Sequence, residues 1–308
     1  MSSSFADRVL SAVSKARVPA AVALDPVYAQ LPKEFASRGA SPATELAAVA
    51  RFSLKVIEII APLVRVVKIN SAYFEHYGGA GLDGYFGLVG AAHAAGLVVI
   101  GDVKRGDVGH SAEQYAAGHL PARAGSGGER APDAITINGY FGWDGVAPFA
   151  KLAAAQGQGV FVLVRTSNPS AAAIQDQLLS DGRKVHEAVA AEVTRWNAES
   201  GQIGAHGYGP IGAVVATRDA GDAAKLRAAL PHSILLVPGY GAQGGRAEDF
   251  APYFKPDGTG AIVAAGRSVI FAQENAKYRE RFGEDWERCI AAACEDFAGE
   301  LSRVLGRG

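Results

Sequence analysis

The chain has 308 residues, 49% of them hydrophobic, which is enough for one large single-core domain or two smaller ones. A formal net charge of −1 with scattered Lys and Arg gives no nucleic-acid footprint, and no apolar run reaches the ~20 residues that span a bilayer. Two cysteines, Cys289 and Cys294, make no disulfide framework and fit no zinc spacing, and the seven histidines form no His-x-x-x-His pair, so no structural metal is expected.

Residues 1–8 lack a basic start and an apolar core, so no secretory signal is expected and the protein reads as cytoplasmic. Residues 5–16 read as a helix that covers the bottom of the fold. Eight β-branched runs follow, at 20–25, 64–70, 97–104, 134–138, 159–167, 212–217, 233–240 and 260–268. They are continuous rather than alternating, as parallel strands covered on both faces require. Between the first two, Leu46, Val49, Phe52, Val56 and Ile60 keep helical spacing, with Glu45, Arg51, Lys55 and Glu58 on a solvated face. Further helical stretches fall at 82–95, 144–156, 182–200 and 219–230, and one at 284–305 closes the chain. On a helix Cys289 and Cys294 lie on different faces and are not expected to bridge.

Eight strands alternating with helices predict a (β/α)8 barrel, with residues 1–308 forming a single domain that ends in a helix. A doubly wound sheet is the runner-up, but no Gly-x-Gly-x-x-Gly opens a first turn. Two connections are unusually long: 106–133, with a Gly/Ser-rich centre at 125–128, and 168–211.

In such a barrel the chemistry sits at the C-terminal ends of the strands. The first run ends in Asp25, the second carries Lys68, and the third ends in Asp102-Val103-Lys104-Arg105-Gly106-Asp107. Side-chain alternation puts Asp102 and Lys104 on one strand face. Opposite charges there compensate each other's desolvation, and their position favours catalysis over a purely structural ion pair. The fifth run ends in Thr166-Ser167-Asn168-Pro169. The seventh and eighth end in glycine-rich segments, with Gln243, Gly266 and Arg267 among them, and read as a phosphate cradle. His110 reads as an exposed loop histidine at a helix start. Tyr240, Phe141 and Trp143 read as packing at the mouth.

Asp102-x-Lys104-x-x-Asp107 resembles the Asp-x-Lys-x-x-Asp motif of the orotidine 5'-phosphate decarboxylase family. Ala23-Leu24-Asp25, the segment from Lys68 to Glu75, the segment from Gly109 to Ala116, Thr166 to Ser170, Pro238 to Gly245 and Gly266-Arg267-Ser268 match the pattern of its longer bacterial (type 2) subfamily. The match runs from Phe5 to Phe271. The resemblance implies decarboxylation of orotidine 5'-phosphate to UMP, the last step of de novo pyrimidine nucleotide synthesis, without metal or cofactor. It implies that Lys104 protonates C6, that Asp102 lies against the substrate carboxylate, and that Lys68 pairs with Asp102. Asp25 would hold a ribose hydroxyl, Ser167 the pyrimidine, and Gln243 and Arg267 the phosphate, beside Gly266. Asp107, with Ser111 behind it, would reach into the partner's site of a homodimer. The chain departs from the pattern at Gly139, where relatives usually carry proline, at Trp143, where they carry a small residue, and after Lys68, where proline is common.

Two rivals remain open on the sequence. A metal-dependent sugar-phosphate decarboxylase or synthase of the same scaffold would place an acid on the second strand, where this chain has Lys68. A non-catalytic pyrimidine-nucleotide-binding barrel would have no need to bury a carboxylate beside that of its ligand.

Overall fold

The computed structural model describes residues 4–16, 18–37, 39–121, 130–217, 219–241 and 244–306. Eight parallel strands close into a barrel in chain order: β1 (Ala20–Leu24), β2 (Val66–Asn70), β3 (Val98–Arg105), β4 (Ala134–Asn138), β5 (Gly159–Arg165), β6 (Ile211–Val215), β7 (Leu235–Pro238) and β8 (Ala261–Ala265), with β8 paired back to β1. The sequence expectation of a (β/α)8 barrel is met.

Helix α1 (Phe5–Ala16) precedes the barrel, and α2 (Pro42–Ile60) follows β1. Ser41 caps α2 by accepting from the Thr44 N–H, and Pro42 occupies the first helical position, where its missing N–H costs nothing. Then come α3 (Ala72–Glu75), α4 (Gly78–Ala94), α5 (Gly109–His119), α6 (Trp143–Ala155), α7 (Ala172–Gln175), α8 (Val185–Ser200), α9 (Ala220–Ala229), α10 (Arg267–Ile270), α11 (Ala276–Phe282) and α12 (Trp286–Val304). The long 106–133 connection therefore contains a helix, α5. Its Gly/Ser-rich centre, 125–128, lies outside the described residues.

Two cores result from the period of two along each strand. Outward residues such as Val22, Val67, Val99, Ile135 and Val162 pack under the helices. Inward residues Ala21, Val66, Ile100, Ala134, Phe161, Val214, Leu236 and Ile262 fill the barrel, together with Phe5, Val9 and Leu10 of α1. Phe5 meets Phe161 edge-on at 5.7 Å, and the glycine at 159 makes room for it: a Cβ there would stand 2.4 Å from Phe5 Cδ1. Below the barrel, Arg8 of α1 pairs with Asp133 at 2.9 Å, and the other Asp133 oxygen accepts from the Val99 N–H. α1 thus stoppers the N-terminal end, as the sequence implied.

The same inward parity, continued toward the strand C-termini, brings up Ala23, Lys68, Asp102, Thr136 and Leu163. Above the apolar plug the interior turns polar, and the site begins there.

Candidate active site

A cavity of about 410 Å³ opens at this end, lined by residues from β1, β2, β3, β5, β6, β7 and β8 and their following loops. Of the residues singled out in the sequence, Asp25, Lys68, Asp102, Lys104, Ser167, Gly266 and Arg267 line it. Asp107 and Ser111 do not; the Asp107 carboxylate accepts from the Val108 N–H, and Ser111 lies exposed on α5. Gln243 lies outside the described residues.

The charged groups form a row across the first three strands. Lys68 Nζ stands 2.6 Å from Asp102 Oδ2 and 3.5 Å from Asp25 Oδ1, and Lys104 Nζ stands 2.6 Å from Asp102 Oδ1. Asp102 also accepts from the Thr136 hydroxyl at 2.8 Å. Lys68 is 7% and Asp102 6% exposed, so each would be strongly penalised alone. Burial pushes the Asp102 carboxyl up, but the Lys68 and Lys104 ammonium groups outweigh it and hold the pKa well below the ordinary carboxylate range. For Lys68 burial pushes down and the Asp102 and Asp25 carboxylates prevail, raising its pKa. Both groups are held charged.

Lys104 reaches Asp102 by a route that alternation alone does not describe. Between the pairs Gly101–Ile135 and Arg105–Ile137, β3 advances four residues while β4 advances two. The excess is a bulge, and Lys104 in it has φ 46°, the only positive φ outside glycine among the described residues. That conformation costs a lysine about 1–2 kcal/mol. The bulged Lys104 N–H, lost to the ladder, donates to Thr136 Oγ1 at 3.0 Å. Asp102 and Lys104 share a face as expected, but through a strained bulge rather than a regular strand. The Lys104 side chain is 49% exposed and is open to a ligand in the cavity.

Strand ends on the far side are neutral or cationic. Arg267 is the first residue of α10, is exposed, and has no ion-pair partner among the described residues. Gly241, at φ 69°, has the Ser268 side chain 2.6 Å from where a Cβ would stand, so that turn requires glycine. Tyr240 lines the cavity, packs on Phe297 at 4.3 Å and donates to Glu300 at 2.7 Å, a packing and tethering role at the mouth. His110 is exposed at the start of α5, and Trp143 packs against Trp196. At the departure Gly139, a Cβ would stand 2.6 Å from the buried Val162, which accounts for glycine there.

Sequence reading missed Asn70, Tyr73 and Thr136. Asn70 and Tyr73 line the cavity, and Thr136 holds Asp102 and the Lys104 backbone together. Asn70 falls at inward parity above Lys68, a signal that was available. Tyr73 lies on α3, within the Lys68–Glu75 segment that carries the resemblance, but neither charge nor a strand-end position singles it out there. Among the described residues, no group of three or more His, Cys, Asp or Glu could hold a metal ion. The cation between the Asp25 and Asp102 carboxylates is an ammonium, which would repel a divalent ion.

Comparison with known proteins agrees with this architecture. Residues 22–282 match the family described as orotidine 5'-phosphate decarboxylase / HUMPS. The orotidine 5'-phosphate decarboxylase of Rhodopirellula baltica is 37% identical over 292 residues, covering 94% of this chain and 96% of that one. That of Deinococcus radiodurans is 41% identical over 221 residues, covering 72% and 76%. The structure of Leishmania donovani OMP decarboxylase superposes with a TM-score of 0.74 at 25% identity, covering 98% of this chain and 99% of that one. A closed barrel, a buried Asp–Lys row on its first three strands, a family model matched over residues 22–282 and a relative covered over 96% of its length lead to one assignment: the chain belongs to the orotidine 5'-phosphate decarboxylase / HUMPS family.

Proposed function

We propose that this protein decarboxylates orotidine 5'-phosphate to UMP, as its relatives' names describe, using a single barrel domain without metal or cofactor. One observation carries the reading: a buried carboxylate, Asp102, held ionised between two ammonium groups at the floor of a cavity. A binding protein gains nothing by burying an anion where an anionic ligand must enter. An enzyme that expels a carboxylate as carbon dioxide gains a group repelled by the ground state and not by the product.

In the proposed reaction the C6 carboxylate of the substrate enters beside Asp102. The C6–carboxylate bond breaks heterolytically, carbon dioxide leaves, and the electron pair stays on C6. The Lys104 ammonium stabilises that charge and then donates its proton to C6. Lys68 keeps Asp102 ionised and, with Asp25, meets the ribose hydroxyls. Ser167 hydrogen-bonds the pyrimidine. Arg267, with Gln243 and the backbone at Gly266, binds the phosphate, and that remote binding energy supports the chemistry at C6. Asp107 and Ser111 serve the site of a second copy in a cytoplasmic homodimer. Their place outside the cavity of their own chain supports that reading, as do the exposed side chains of Val108, Tyr115, Tyr140 and Phe141 in the loops and helix around Asp107.

The test is loss of orotidine 5'-phosphate absorbance with purified protein in excess chelator. Full turnover under those conditions is expected. Strict dependence on added Mg²⁺ would favour the metal-dependent reading, and UMP binding without turnover the non-catalytic one.

A further inference from the structure

The peptide that joins Val103 to Lys104 is gripped at both ends by side chains rather than by the barrel ladder. Its N–H donates to Thr136 Oγ1 at 3.0 Å, and its carbonyl oxygen accepts from Arg105 Nη1 at 2.9 Å. Rotation of that peptide plane sets φ of Lys104, and φ sets the direction in which the lysine leaves the strand. Arg105 holds that carbonyl without lining the cavity.

Arg105 is itself held on its two other faces. Nη2 pairs with Glu75 Oε1 at the end of α3, and Nε donates to His119 Nε2 at 3.2 Å at the end of α5. His119 is 8% exposed; burial, and then the neighbouring Arg105 charge, depress its pKa to about 4, so it is neutral and its Nε2 is free to accept. Glu75, His119 and Arg105 each end an element, α3, α5 and β3, and the hydrogen bonds of the first two converge on the guanidinium fork of the third.

We propose that Arg105, clamped by Glu75 and His119, is a positioning residue that fixes the Val103–Lys104 peptide and so aims Lys104 into the site. It touches neither substrate nor the reacting atoms. Lysine at position 105 would keep the positive charge but not a planar fork with three fixed directions, so the role is geometric rather than electrostatic.

This inference rests on the decarboxylase reading. Its test compares the unmodified protein with Arg105→Lys, Arg105→Ala and Glu75→Gln by steady-state turnover of orotidine 5'-phosphate, equilibrium binding of UMP and thermal unfolding. Misaiming the lysine by about 1 Å is expected to lower kcat by roughly 10- to 100-fold in both Arg105 variants, with UMP affinity changed less than about threefold. Glu75→Gln is expected to lose about three- to tenfold in kcat, and guanidinium ion to restore part of the rate to folded Arg105→Ala. Should Arg105→Ala not fold, Arg105→Lys and Glu75→Gln decide the matter. Arg105→Lys at the unmodified rate, or equal loss of kcat and UMP affinity, would overturn the inference. Absence of turnover in the unmodified protein would instead overturn the decarboxylase reading on which it stands.

Discussion

At Asp102 one carboxylate meets three donors, the Lys68 and Lys104 ammonium groups and the Thr136 hydroxyl. The two lysines differ in what surrounds them. Lys68 is enclosed between two acids, whereas Lys104 keeps half its side chain open to the cavity, so only Lys104 is placed to give up a proton. Lys104→Ala is expected to lower kcat by about 10²–10⁴-fold while UMP still binds, measured by turnover and by titration with UMP. A second prediction concerns stability. His119 is buried neutral, with a pKa of about 4 against an ordinary 6.5. The unfolded chain takes up a proton at the higher pH, so stability is full above about pH 6.5 and falls as pH drops toward 4, by about 3 kcal/mol in all. Chemical unfolding between pH 7 and 4 should show that slope, and His119→Asn should flatten it. Charges at the ends of apolar runs made Asp25, Lys68, Asp102 and Lys104 legible in the sequence. Thr136 was not, because a threonine within Ala134–Asn138 is an ordinary strand residue until a bulge across from it leaves an N–H to satisfy. The clamp around Arg105 was hidden for a related reason. It depends on where α3 and α5 end, and α5 fell within a stretch read as a long loop.

The strands follow their apolar runs closely, because continuous burial on both faces is a strong signal over 4–8 residues. Their ends are less well marked. β5 stops at Arg165 and β8 at Ala265, before the polar residues first read as strand, since Ser167 and Arg267 belong to loop and helix. The β3 bulge was invisible to a reading by period two, which assumes an unbroken ladder. At the other end of the barrel, α1 and β5 fit together through one glycine. Gly159→Val should force Phe5 out of the interior and lower the unfolding temperature. Phe161→Ala should cost roughly 3–5 kcal/mol by emptying the same layer, read by denaturant unfolding. Neither residue lines the cavity, so both variants should bind UMP once folded. Loss of UMP affinity in a folded Phe161→Ala protein would mean that plug and site are coupled.

For the molecule as a whole, the homodimer proposal has a direct test. Lys104→Ala and Asp107→Ala chains, each nearly inactive alone, should regain about a quarter of unmodified activity when unfolded and refolded together in equal amounts. Half of the dimers would then be mixed, and each would carry one site free of both substitutions. No recovery would mean that Asp107 serves its own chain or none. The sequence could suggest this arrangement only through family resemblance, since nothing within one chain says which copy a loop side chain serves. α1 has a wider consequence. By filling the barrel's lower end with Phe5, Val9 and Leu10 it closes the interior on that side and leaves the cavity at the C-terminal ends of the strands. Nucleotide and carbon dioxide therefore leave from the same end of the barrel at which the substrate enters. UMP should therefore compete with orotidine 5'-phosphate for the empty enzyme, and no turnover can begin until the last product has backed out.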